Sequence, residues 1–268
     1  MGLLDHLIDS ARAGVEERRR VAPVEGLRER LAERDHDRPF REALSRPGMS
    51  LICEFKRRSP SAGEIAGGIQ LADQVKAYEE GGAAALSILT DPGNFDGDLG
   101  DLAVARAAST LPILRKDFIV DGYQLVESAA SGADAVLLIA TVLRDSRLEE
   151  FQREAAELDL DCLIEVHDED DLVRALESGA EVIGINNRNL DTGKVDVATT
   201  YQLVTDVPTG KTVVSESGIS MREELDELER VGVDAALIGE SLMRAADPEA
   251  LVREFAGPGE QTTEHQIP

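Results

Sequence analysis

The chain has 268 residues, 42% of them hydrophobic, with 53 acidic against 28 basic side chains and a formal net charge of −25. A chain of that length builds a core without disulfides or metal, and the charge argues against a nucleic-acid partner, whose phosphates it would repel. Apolar runs such as AVLLIA (135–140) fall far short of the ~20 residues that span a bilayer, and the opening MGLLDHLIDSARAGVEERRR lacks the layout of a signal peptide, so a soluble, cytoplasmic protein without a membrane partner is expected.

In chain order, residues 1 to about 48 read as one or two amphipathic helices (Leu3, Leu4, Leu7, Ile8, Ala11, Val15; then Leu27, Leu31) followed by a linker through RPFREALSRPG. The basic run RRR (18–20) is expected on a solvated helix face. Eight short apolar runs follow at nearly even spacing: LICEF (51–55), ALSILT (85–90), PILRKDF (112–118), AVLLIA (135–140), CLIEV (162–166), VIGINNR (182–188), TVVSES (212–217) and AALIGES (235–241). Between them lie helical patterns with apolar residues at spacings of three and four, from LADQVKAYEEGG to MREELDELERVG, and PEALVREF follows the last strand. Cys53 and Cys162 sit in separate strands and read as buried thiols.

An internal echo marks the repeat. GGAAAL (81–86), SGADAV (131–136), SGAEVI (178–183) and VGVDAA (231–236) each put a glycine where a helix ends and a short link enters a strand. Alternating strands and helices imply parallel pairing through right-handed crossovers. Eight such units predict a closed (β/α)₈ TIM barrel, α/β in class, forming one domain over residues 1–256 with extra N-terminal helices over 1–48. A doubly wound open sheet is the alternative, but no Gly-rich dinucleotide loop follows the first strand. The tail GPGEQTTEHQIP (257–268) is polar and turn-rich, and disorder is expected there.

Active sites of such barrels sit at the C-terminal ends of the strands, and here those ends are unusually polar. Strand one offers Glu54 and Lys56, in phase with each other and with Ile52. Strand three offers Lys116, in phase with Leu114 and Phe118, while Arg115 and Asp117 point the other way. Glu165 ends strand five, Asn186 and Arg188 end strand six, and Glu216 and Ser217 end strand seven. Any one of these taken alone reads more simply as half of a structural ion pair. Several desolvated charges gathered on one rim, each costing several kcal/mol unless compensated, mark a site. Gly218 and Gly239, after strands seven and eight, bare backbone N–H groups where this fold commonly cradles phosphate, and Ser59 and Lys56 can close that cradle from strand one.

Other motifs carry less. Asp168 in EVHDEDD (165–171) reads as a helix N-cap rather than a metal ligand, and the four histidines, His6, His36, His167 and His265, have no ligand spacing. DPGNFDGDLGD (91–101) lacks the terminal Glu of a calcium loop and reads as a long connection bending over the site, with Phe95 as an apolar wall.

With these residues in view, the sequence resembles the indole-3-glycerol phosphate synthases of tryptophan biosynthesis. CEFKRRSPS matches that family's first-strand signature, and LRKDFIVDGYQ, ADAVLLIA, LIEVHDEDDL, IGINNRNL, VSESGI and LIGESLMRA match its later segments in order, over about residues 48–246. Gly122 stands where the family commonly has proline, and Glu240 where a small residue is frequent. The resemblance implies a sugar-phosphate substrate, 1-(2-carboxyphenylamino)-1-deoxyribulose 5-phosphate. It implies ring closure, decarboxylation and dehydration by general acid–base catalysis, with no metal or organic cofactor.

It further implies Lys116 as the acid of ring closure and leaves Glu165, Lys56 and Glu54 all open for the dehydration. Asn186 and Glu216 would orient substrate hydroxyls and Ser217 would help position the ligand. Arg188 would meet the anthranilate end or support the site, with Phe95 and Phe118 among the substrate-binding residues. Ser59, Gly218, Gly239 and the Glu240 backbone would bind phosphate, beside Lys56. Other enzymes of the tryptophan pathway are the protein partners the family suggests. A sugar-phosphate isomerase and a non-catalytic phosphate-binding barrel are the rival readings. Only five of the basic residues are lysines (Lys56, Lys76, Lys116, Lys194 and Lys211), and scarce lysine with abundant surface acid is similar to the composition of proteins from salt-loving archaea.

Overall fold

The computed structural model describes residues 2–31, 38–60, 62–65 and 67–257. Eight parallel strands close into a barrel: β1 (Ser50–Phe55), β2 (Ala85–Leu89), β3 (Ile113–Lys116), β4 (Ala135–Ile139), β5 (Asp161–Val166), β6 (Val182–Asn186), β7 (Thr212–Glu216) and β8 (Ala235–Ile238). Each pairs with its neighbours in the chain, and β8 returns to β1 in the register Ser50↔Ala235 to Cys53↔Ile238. The strands are covered on both faces: β1, β2, β4, β6, β7 and β8 are buried at every position. Outward residues such as Cys53 and Ile183 meet the helices, while Ile52, Leu114 and Leu163 fill the interior below the mouth. Cys53 is fully buried, whereas Cys162, expected to be buried as well, is only partly so. Desolvation pushes the Cys53 thiol well above the usual range and that of Cys162, with Asp161 beside it, up to about 12.

The four glycines of the repeat take the left-handed backbone that their position requires: Gly82 (φ 101), Gly132 (φ 98), Gly179 (φ 83) and Gly232 (φ 97). At each junction the chain leaves a helix and turns into β2, β4, β6 or β8.

The N-terminal segment departs from the expectation in two places. Helix α1 (Leu3–Val21) buries Leu7, Ala11 and Val15, and α2 (Val24–Leu31) buries Leu27. The segment read as a linker holds a third helix, α3 (Phe40–Leu44), whose Phe40 and Leu44 are fully buried beneath β1 and β2. Five residues are too few for a 3.6-residue periodicity to be visible, so packing rather than pattern reveals it. The basic run is also not uniformly solvated. Arg18 reaches the buried Glu127 at 2.7 Å and Arg19 reaches Asp121 at 2.5 Å, while Arg20 pairs with the exposed Glu17. A short antiparallel hairpin, Arg58–Ser59 against Gly63–Glu64, interrupts the link after β1. Of the tail expected to be disordered only Gly257 is described; the rest lies outside the described residues. No helix among the described residues is long and apolar enough to cross a membrane.

Candidate active site

At the C-terminal ends of the strands a cavity of about 730 Å³ opens. Every residue singled out in the sequence lines it: Glu54, Lys56, Ser59, Phe95, Lys116, Phe118, Glu165, Asn186, Arg188, Glu216, Ser217, Gly218, Gly239 and Glu240. Strand alternation brings Glu54, Lys116, Glu165, Asn186 and Glu216 to the inner face, and the segments that follow the strands supply the rest. Leu137 and Ile139 of β4 and Leu237 of β8 supply apolar lining between the charges.

Two lysines and three glutamates form the polar centre. Lys56 Nζ lies 2.7 Å from Glu54 Oε1, and the Ser87 hydroxyl stands 3.5 Å from the other oxygen. Lys116 Nζ is suspended between Glu216 Oε2 at 3.1 Å and Glu165 Oε2 at 3.4 Å. Burial acts against the charge on Lys116, yet Glu216, Glu165 and Glu54 outweigh it and hold the ammonium well above the usual lysine range. Burial likewise opposes ionisation of Glu165, but Lys116 and His167 draw its carboxyl down to about 2. Glu216 goes the other way. Burial lifts it to about 7, with the pull of Lys116 partly cancelled by Glu165. Both Glu216 oxygens are buried without an aligned hydrogen bond, so this carboxyl faces the cavity with unused acceptor capacity.

Two glycines make room for these acids. A Cβ at Gly239 would come within 2.6 Å of Glu54 Oε1, and one at Gly184 would collide with Glu216. Gly239 thus has a steric reason to be glycine besides its exposed N–H. After β7 the chain takes two consecutive left-handed residues, Ser217 (φ 67) and Gly218 (φ 89). A non-glycine residue in that region is uncommon and is held by its surroundings. Asn187 does the holding: its Nδ2 donates to the Ser217 carbonyl at 3.0 Å and to Ser215 Oγ at 3.2 Å, while its Oδ1 accepts from Thr200.

Asn186 Oδ1 accepts from the Arg188 backbone N–H at 3.0 Å, and the Arg188 guanidinium donates to the Gly193 carbonyl at 3.0 Å, which shapes the loop after β6. Ser59 is buried and its Oγ accepts from the Ala62 N–H at 3.1 Å. The Glu240 side chain pairs with Arg244 at 3.0 Å, one turn along the same helix. Phe95 sits on a one-turn helix, Pro92–Phe95, N-capped by Asp91, rather than on an extended loop.

The sequence did not disclose the roles of four further residues. Leu3 and Leu7 of α1 line the cavity, so part of the amphipathic face of that helix closes the mouth instead of packing on helices. Asn187 points away from the cavity and braces the loop after β7. His167, set aside as one of four scattered histidines, stands between Glu165 and Asp171. Asp168 does act as the N-cap, accepting from the Asp171 N–H at 2.8 Å. Among the described residues no group of three or more His, Cys, Asp or Glu is arranged to hold a metal ion.

Comparison with known proteins decides the family. The family model described as indole-3-glycerol phosphate synthase matches residues 4–255. The chain belongs to that family. It is 45% identical over 257 residues to the indole-3-glycerol phosphate synthase of Syntrophobacter fumaroxidans, covering 95% of this chain and 97% of that protein. Identity to indole-3-glycerol phosphate synthase 1 of Streptomyces coelicolor is 42% over 260 residues, covering 97% of each. Among solved structures, 3-hexulose-6-phosphate synthase from Salmonella typhimurium aligns with a TM-score of 0.61 at 17% identity, over 78% of this chain and 97% of that one. At that identity the likeness is one of fold alone. The synthase family match therefore rests on sequence over nearly the whole chain, and the barrel on both.

Proposed function

We propose that this cavity converts 1-(2-carboxyphenylamino)-1-deoxyribulose 5-phosphate into indole-3-glycerol phosphate, CO₂ and water in cytoplasmic tryptophan biosynthesis. The observation that carries the reading is Lys116, a partly buried ammonium facing an open cavity between two carboxylates at 3.1 and 3.4 Å. Carboxylates that keep the lysine protonated give it a proton to deliver, and the cavity gives it something to deliver it to.

In the first step the aryl carbon attacks the ketone. Lys116 protonates the developing alkoxide, and the carboxylate on the same ring carbon leaves as CO₂. In the second step the new hydroxyl departs as water. Lys56, ion-paired with Glu54 at 2.7 Å, supplies the proton for it. Glu165, drawn down to about 2, is ionised at neutral pH and accepts the proton lost from the ring. Two protons are given and one is recovered; the other comes from solvent and balances the carboxylate lost as CO₂. Asn186 and Glu216 orient the substrate hydroxyls, and Ser217 positions the ligand beside them. Phe95 and Phe118 wall the aromatic end, and Arg188 supports it. Ser59 and the backbone N–H groups of Gly218, Gly239 and Glu240 bind the phosphate, with Lys56 near. The Glu240 side chain, turned toward Arg244, leaves that end open.

The experiment is turnover of the carboxyphenylamino sugar phosphate in concentrated KCl, followed by indole absorbance. Appearance of the indole band with release of one CO₂ supports the reading. Turnover of a phosphoribosylanthranilate in its place supports the isomerase.

A further inference from the structure

Glu165 and His167 are two residues apart across the end of β5, so both lean toward the same side of the chain. Asp168 then caps the helix Glu169–Glu177, and its first turn carries Asp171 back to His167. The Asp171 carboxylate is fixed from several directions. Its Oδ2 accepts from the His167 backbone N–H at 3.1 Å and from the Thr141 hydroxyl at 2.5 Å, and Arg174 binds its Oδ1.

Between the two acids lies the imidazole. Nε2 is 3.2 Å from Glu165 Oε1 and Nδ1 is 3.5 Å from Asp171 Oδ2. Both ring nitrogens are shielded from solvent and neither contact is aligned as a hydrogen bond, so each is a close ion-pair contact. A ring with one proton would aim a bare lone pair at a carboxylate; only the doubly protonated ring attracts both neighbours. Glu165 thus has one cation per oxygen, Lys116 at Oε2 and His167 at Oε1. The charged groups around the pair are Lys116 from β3, Glu216 from β7, and Asp171 and Arg174 from the helix after β5. His167 itself does not line the cavity.

We propose that His167 is a positioning residue for the reaction: as an imidazolium clamped between Asp171 and Glu165, it fixes the Glu165 carboxylate from behind and keeps it ionised and aimed at the cavity. The proposal rests on the reading of Glu165 as the base of the dehydration. A neutral side chain at 167 leaves the carboxylate free to rotate and removes the positive charge beside Oε1.

The test is His167→Gln, with kcat and KM measured across pH beside the wild type. The expected result is a fall in kcat of about 10- to 100-fold with KM changed less than threefold. Loss of a neighbouring cation makes a carboxyl easier to protonate, so the acidic limb of the kcat profile moves up, by about one pH unit. A folded variant with kcat within twofold of wild type and an unmoved limb overturns the proposal. A second measurement needs neither the variant nor the substrate. In ¹⁵N-histidine spectra of the wild type, one of the four rings should remain doubly protonated at about pH 8.5, two units above an ordinary histidine. Four neutral rings at that pH overturn the clamp. A wild type that fails to turn over the substrate counts against the proposed reaction and leaves the spectra to decide the clamp.

Discussion

Arg115 and Lys116 are neighbours on one strand, each a cation between two carboxylates, the first buried and the second partly so, and their surroundings differ in kind. Arg115 faces the helices, 1% exposed, and its guanidinium is fully engaged. Nε donates to Thr90 at 3.0 Å, Nη1 to Glu127 at 2.9 Å and Ser128 at 3.1 Å, and Nη2 to Asp117 at 2.8 Å. Glu127 in turn takes Arg18 from α1, so the network ties the N-terminal helix to β3. Lys116 faces the cavity, and its partner Glu216 keeps two buried oxygens without an aligned hydrogen bond. Paired charge alone does not separate structure from chemistry. The separation comes from whether the donors and acceptors are used up, or left with capacity beside an open space.

Removing each cation in turn separates the two roles. Lys116→Ala should lower kcat at least ~10²-fold, because a positioned acid is lost, with less loss of stability than the outward change causes. Glu165→Gln should cost kcat a similar ~10²-fold. Near-normal turnover in either variant would contradict the assignment. Arg115→Leu should act on the fold instead. It strands Asp117 and part of Glu127 as buried, uncompensated charge, with an expected loss of about 3–5 kcal/mol in chemical denaturation. A variant as stable as the wild type would show that the network is not structural.

A smaller effect sharpens the contrast through pH. The Glu216 carboxyl is raised in the folded protein to about 7, so its burial is tolerated fully below the ordinary glutamate range and costs stability as pH rises toward neutrality. Glu216→Gln should remove that decline between about pH 4.5 and 7, a difference of up to about 3 kcal/mol between the two stability profiles. Parallel profiles would contradict it. Glu165, drawn down to about 2, has the opposite sign, and its contribution fades as pH falls below the ordinary glutamate range.

The eight strands and the barrel's closure were legible because period-2 and 3.6 patterns alternate along the chain and four glycines repeat the same junction. The inward charges were legible by strand phase: Glu54 with Lys56, Leu114 with Lys116 and Leu163 with Glu165. Residues that act by reaching across the fold were not. Leu3 and Leu7 carry the same periodicity whether a helix covers a core or a cavity. Arg18 looks like Arg20 until Glu127 is placed beside it. His167 carried a faint signal, two residues past Glu165 and four before Asp171, but a strand phase and a helix turn had to be joined to see it. The hairpin after β1 is too short for any pattern.

The least local expectation concerns salt. A chain at −25 repels itself in dilute buffer, and at molar salt the screening length falls to ~3 Å. Thermal stability and activity should therefore rise from dilute buffer to molar KCl, for wild type and Arg115→Leu alike. Full activity at ~0.1 M salt would remove the composition from the account.

Lys116 stands on the inward face of β3, and a single-turnover assay reads its role most directly. Excess wild-type protein mixed with the carboxyphenylamino sugar phosphate in concentrated KCl should give the indole band and one CO₂ per substrate. Folded Lys116→Ala, at saturating protein, should leave the substrate uncyclised on the same timescale. Indole formed at the wild-type rate by that variant would contradict the claim that the ammonium between Glu165 and Glu216 is the acid that closes the ring.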